Sequence, residues 1–225
     1  PSPLSNGSYQ VALDVIAAAG SGAWSLDVVL PADAVELSGI TPRNFAVSSV
    51  KIGTTGGGTN AATLAGAPGA VAIGGELVVG ETGLADASFM DSLSIGGQLT
   101  VNSGSEFSAI GTLTSLDDIV VDGGTMVLAG PGFNWANGNT LTVRDGGSVT
   151  FLRQSFSLPT NATVSVTGTD STLSVPVQAT SLTLPDGGNG QLNVSSNALV
   201  QANKLQLQGG TVRVDSGAEL SGGTM

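Results

Sequence analysis

The 225 residues contain no cysteine and no histidine. Without thiols there is no disulfide framework, and zinc sites of the usual Cys/His kind are excluded. Charge is scarce too, with six Lys and Arg against 17 Asp and Glu, a net charge of −11. That balance argues against a nucleic-acid partner, because the phosphate backbone is met by clustered Lys and Arg. Adsorption to anionic lipid is disfavoured on the same ground. No run of 18 apolar residues occurs, so no transmembrane helix and no membrane insertion of this segment are expected. No signal-peptide pattern is visible. With 34 glycines the composition is poor for helices. A 40% hydrophobic content in regular alternation argues against disorder.

What the chain has in place of these is a repeat. It reads most cleanly at Leu141–Phe151, L-T-V-R-D-G-G-S-V-T-F: two alternating apolar residues, a Gly-Gly turn, then two more. Leading segments are Val71–Ile73, Leu93–Ile95, Ile119–Val121, Leu141–Val143, Val164–Val166, Leu182–Leu184 and Leu205–Leu207. Their turns carry Gly74-Gly75, Gly96-Gly97, Gly123-Gly124, Gly146-Gly147, Gly168, Gly187-Gly188 and Gly209-Gly210, at steps of 22, 27, 23, 22, 19 and 22. A period of this length marks a solenoid, propeller or array. Alternation at i and i+2 is the strand period and puts each apolar pair on one face. The glycines are read as structural turns, supplying backbone angles that a Cβ makes costly. Gly-rich turns also join antiparallel hairpins, but a stack of independent hairpins leaves the constant step unexplained. A coil of ~22 residues per turn explains it.

A looser third segment, as in Gly104–Phe107 and Gly217–Leu220, completes each coil and implies three faces. The expected fold is all-β: a parallel β-helix, or β-solenoid, of about seven coils over 66–225, roughly 30–35 Å long at ~4.8 Å per coil. A single coil has no closed core, so stability comes from stacking. Residues 1–65 lack the glycine corner and are read as an N-terminal β cap, or a small β unit with a Gly-rich linker. Strand-like alternation there falls at Tyr9–Val15, Trp24–Val28 and Phe45–Ile52, and Thr54–Gly69 reads as a loop. The 27-residue step predicts extra chain near Ala109–Asp118. The ending, Ser221–Met225, looks like a further turn cut short, as in an excerpt of a longer processed chain.

Candidate sites are few. Phe133 and Trp135, the one tight aromatic pair, are candidate ligand contacts for a sugar or else core residues. Asp117-Asp118 is an acid pair, but consecutive strand residues face opposite ways, so a solvated corner is expected. Arg144 and Arg153 are too few for a uronate site and read as surface residues. Asp186-Gly187-Gly188-Asn189-Gly190 is like a calcium-binding nonapeptide, but Leu192 stands where its Asp belongs and no tandem copy follows. Ice binding needs outward Thr in register. The residues matched to Thr183 by the glycine alignment are Ala72, Ser94, Val120, Thr142, Ser165 and Gln206, which is too irregular. Asn6, Asn161 and Asn193 fit the N-glycosylation pattern, which matters only in a eukaryotic secretory host. No catalytic residue, metal site or cofactor is expected.

The stretches Leu93–Phe107, L-S-I-G-G-Q-L-T-V-N-S-G-S-E-F, and Leu205–Leu220, L-Q-L-Q-G-G-T-V-R-V-D-S-G-A-E-L, resemble the repeats of bacterial autotransporter passenger domains and related surface proteins. The resemblance covers about residues 70–225. It implies a right-handed parallel β-helix exported to the bacterial cell surface or beyond. The same coil carries adhesins, stalks, filament subunits and enzymes. The expectation is therefore a non-catalytic structural or adhesive module: stalk, surface layer or filament subunit. The alternative is a glycan-binding or glycan-cleaving β-helix. Expected partners are the chain itself, by end-to-end or lateral assembly, and a surface glycan or host protein.

Overall fold

A computed structural model describes residues 2–3, 8–10, 25–30, 36–41, 45–47, 49–54, 62–66, 69–81, 83–153, 155–176, 181–184 and 189–224. Among these residues there is no helix, and the strands wind as a parallel β-solenoid. Each coil visits three faces in turn. In one coil, Leu93–Ile95 lies on the first face, Leu99–Asn102 on the second and Glu106–Ala109 on the third. The next coil lies beneath it as Leu113–Ser115, Ile119–Asp122 and Thr125–Leu128. All three pairings are parallel and in register: Leu93 over Leu113, Leu99 over Ile119 and Phe107 over Met126.

The expected coil is therefore present. On the second face six successive parallel pairings run from Leu77–Val79 to Thr211–Val214. Pairing also runs through residue 66 without a break. Phe45–Val47, Ser49–Thr54 and Ala62–Gly66 pair in parallel with the strands at Val71, Leu77 and Ala85. Ser25–Leu30 and Glu36–Thr41 extend the second and third faces one coil further. The single antiparallel strand pair among the described residues joins Ser2–Pro3 to Ser8–Gln10. Thr54–Gly69 is not all loop as expected, since Ala62–Gly66 is a strand. Leu64 is the one large apolar residue turned inward there, and small neighbours hide the alternation.

Two expectations drawn from the glycine alignment need correction. The seven Gly-marked turns do not share one corner. Gly74-Gly75, Gly96-Gly97 and Gly209-Gly210 lie between the first and second faces, whereas Gly123-Gly124, Gly146-Gly147 and Gly168 lie between the second and third. Gly187-Gly188 and Asp186 lie outside the described residues. The 27-residue step therefore counts one coil plus the distance from one corner to the next. No chain is inserted at Ala109–Asp118, where the coil step is 20 residues, Leu99 to Ile119. The long step is Val164 to Leu192, 28 residues on the same face.

Angle is also only half of what glycine supplies. Gly123 and Gly146 hold φ of 68° and 82°, where a Cβ is strained. Gly96 does not. A Cβ on Gly96 would run into the carbonyl of Gly74 on the coil above, so its role is close stacking of the corners.

The core is a column along the axis. Inward pairs on the second face, Val50/Ile52, Leu77/Val79, Leu99/Val101, Ile119/Val121, Leu141/Val143, Val164/Val166 and Leu192/Val194, are all buried. On the third face Phe89 lies over Ala109 and Phe107 under Ala87. Large and small residues alternate in register, so the two rings stagger at 6.0 Å without spreading the strands.

Candidate functional site

The predicted aromatic pair sits where the first face breaks. Phe133–Trp135 pairs with Leu113–Ser115 above it. The next first-face strand, Phe156–Ser157, pairs only with Leu182–Leu184 below. Rings fill the gap: Phe133 lies 5.6 Å from Phe151 and 5.8 Å from Phe156, Trp135 lies 6.1 Å from Phe156, and Phe151 stacks on Phe156 at 4.4 Å. Here large residues follow large residues, and the ring separations of 5.6–6.1 Å exceed the ~4.8 Å strand spacing. Trp135 is buried and Phe133 half-buried against the core. Both side chains are drawn into the interior contact network, which leaves no flat indole face outside for a sugar to stack on.

The other predicted residues stand at corners and on outer faces. Asp117 and Asp118 occupy the turn that Gly97 and Gln98 occupy one coil earlier. Asp118 accepts from the Thr140 N–H at 2.7 Å and Asp117 from the Asp118 N–H at 2.8 Å, so the pair closes its own corner. Arg144 donates to Asp122 on the adjacent coil at 2.6 Å. Arg153 is exposed on another corner, so the two arginines do not form one site. The residues matched to Thr183 split between faces: Ala72, Ser94 and Gln206 share its first face, while Val120, Thr142 and Ser165 lie on the second. No single outward row joins them.

Sequence reading missed a carboxylate pair. Register places Asp86 directly over Glu106 on the outer third face, about one coil spacing apart. With Ser88 and Ser108 they line a shallow depression of about 150 Å³. Burial raises the Asp86 carboxyl above its ordinary value, and a hydrogen bond to the Glu106 backbone partly offsets this. Two carboxyl groups on one face, about one coil spacing apart, are the kind of pair that acid–base chemistry on glycosides uses. The 20-residue coil step was the signal that would have paired them. A larger depression of about 340 Å³ lies near the end of the same face, between Pro176, Gln201, Asn203 and Ser221. Among the described residues no three acidic side chains converge to hold a metal.

Stacked parallel coils around an axial apolar column define the chain as a β-solenoid protein. No protein family, no curated protein and no solved structure matches it.

Proposed function

We propose that this chain is a structural rod module of a bacterial surface or secreted protein, serving as a stalk, surface-layer component or filament subunit. The axial core carries this reading. The inward column from Val50 to Val194 passes through successive coils without a polar interruption on the second face. Coils that each bury their neighbours' apolar side chains add length without adding a new fold. The surface setting is supported by the autotransporter-like repeats at Leu93–Phe107 and Leu205–Leu220. The proposed partners are other copies of the chain and surface glycans or host proteins.

Small-angle scattering tests the rod. Deleting one coil, residues 97–116, should leave a folded particle shortened by about one strand spacing of ~4.8 Å. A deletion variant that unfolds, or a globular scattering profile for the intact chain, overturns the reading.

The Asp86–Glu106 depression favours a second reading, glycan binding or cleavage on the third face. It predicts that one of a panel of acidic and neutral polysaccharides is bound or cut, and that Asp86→Asn and Glu106→Gln each abolish the effect. A panel with neither binding nor product release rejects it.

A further inference from the structure

The edge where the third face turns into the first carries its apolar residues outside. Met90, Ile110, Ala129 and Leu152 each follow the last inward residue of a third-face strand, namely Phe89, Ala109, Leu128 and Phe151. Register stacks those four inward residues, so the four that follow form one row. Backbone bonds from the N–H groups of Ile110, Ala129 and Leu152 to the coil above hold the row straight. Met90 is 54% exposed, Ile110 46% and Leu152 38%, with Ala129 half-buried between them. Three coil steps make the ridge roughly 15 Å long. Leu116, Leu207 and Val214 are exposed elsewhere, but here three large apolar side chains are held in one straight row, and such a clustered exposed patch marks a contact surface.

A second row runs beside the ridge, one residue further along the chain: Asp91, Gly111, Gly130 and Arg153. It has a carboxylate at one end and a guanidinium at the other. Bare backbone lies between them, because a Cβ on Gly111 would strike the Asp91 carbonyl and one on Gly130 the Gly111 carbonyl. Arg144 and Arg213 are each paired to an aspartate, whereas Arg153 has no ion pair among the described residues.

We propose that this edge is a lateral interface with a second copy of the chain, the two rods lying antiparallel. The two-fold axis crosses the ridge between Ile110 and Ala129. Rotation about it reverses the order along each row and keeps the charged row on the same side. Asp91 then meets Arg153 of the second copy, Arg153 meets its Asp91, and Ile110 meets its Ala129. A parallel arrangement puts the charged rows on opposite sides and forms neither pair. Such self-complementarity is what a two-fold contact requires. With a net charge of −11 per copy, unpatterned lateral association is repelled, so the reciprocal Asp–Arg pairs select this registry. One ridge buries far less than the ~1,600 Å² of a stable complex, so the pairing is weak, concentration-dependent and sensitive to salt.

The inference gives the structural reading a specific partner and rests on that reading only in requiring this edge of the rod to be free. The natural absence of cysteine makes the test clean. Ile110→Cys and Ala129→Cys proteins are mixed and oxidised at rising concentration. The 110–129 heterodimer should form severalfold in excess of either homodimer. Arg153→Asp should remove that excess, and Arg153→Asp with Asp91→Arg should restore it. Thermal unfolding of each variant confirms that it is folded. Statistical disulfide mixing, or a charge swap that fails to restore the excess in folded protein, overturns the interface. In either case the scattering profile of the single rod is unchanged, so failure here is distinct from failure of the rod reading.

Discussion

Ser105 shows how a small polar residue is held inside an apolar coil. Its Oγ is buried and accepts the Ala85 N–H of the coil above at 3.0 Å. Ser105→Ala leaves that backbone donor without a partner, and burying an unsatisfied donor costs about 1–3 kcal/mol. The expected result is a loss of that size in chemical denaturation with an unchanged strand signature in circular dichroism. Asp86 is a residue whose environment works against its charge. Burial raises its carboxyl above the ordinary value, so the folded state holds the proton more tightly than the unfolded state does. This contribution is fully present below the unfolded carboxyl value and is lost as pH rises through the raised folded value. Asp86→Asn removes the charge and keeps an acceptor for the Glu106 backbone. It should be at least as stable as the parent at pH 7, with any advantage vanishing below about pH 3.9. An advantage that grows on acidification would contradict the burial argument. Neither residue was legible in the sequence, because each depends on what lies one coil away.

At the scale of the strand and its face, the first face breaks where ring follows ring. Phe156 touches Phe133, Trp135 and Phe151, and the buried Trp135 Nε1 finds no partner among the described residues. Phe156→Ala should cost about 3–5 kcal/mol and admit water to the indole. In a Trp24→Phe background, Trp135 emission should shift to the red; an unshifted spectrum would mean that the cluster does not close the gap. The strands themselves were legible, because alternation and the glycine step determine which residues point inward. Inward pairs such as Leu99/Val101 and Met126/Leu128 are buried as that pattern requires. The phase of the coil was not. Gly-Gly serves two different corners for two different reasons, angle at Gly146 and close stacking at Gly96. Aligning the glycines therefore shifted half the copies by one face. Proline hid the coils before residue 66: Pro31 and Pro42 interrupt the spacing there, yet the strands around them join the same sheets.

Across the whole molecule stability should be graded along the axis, because each coil is supported mainly by its neighbours. The second face supplies a matched comparison. Val194 and Val214 occupy the same inward column one coil apart. Val194 is buried at 1% exposure, while Val214 is 43% exposed in the last coil described. Leu207, beneath Leu184 on the first face, is likewise exposed. An aspartate placed at each position therefore meets different surroundings through the same backbone geometry. Val194→Asp buries an unpaired charge between coils and should cost several kcal/mol. Val214→Asp keeps its carboxylate in water and should cost on the order of 1 kcal/mol or less. Hydrogen exchange reads the same gradient without substitution. Amides of Leu99–Val166 should exchange only with global unfolding, and those of Thr211–Val214 should exchange first by local opening. If the two substitutions cost the same and exchange is uniform along the chain, the coils do not act as separable neighbours and the solenoid unfolds as one undivided unit.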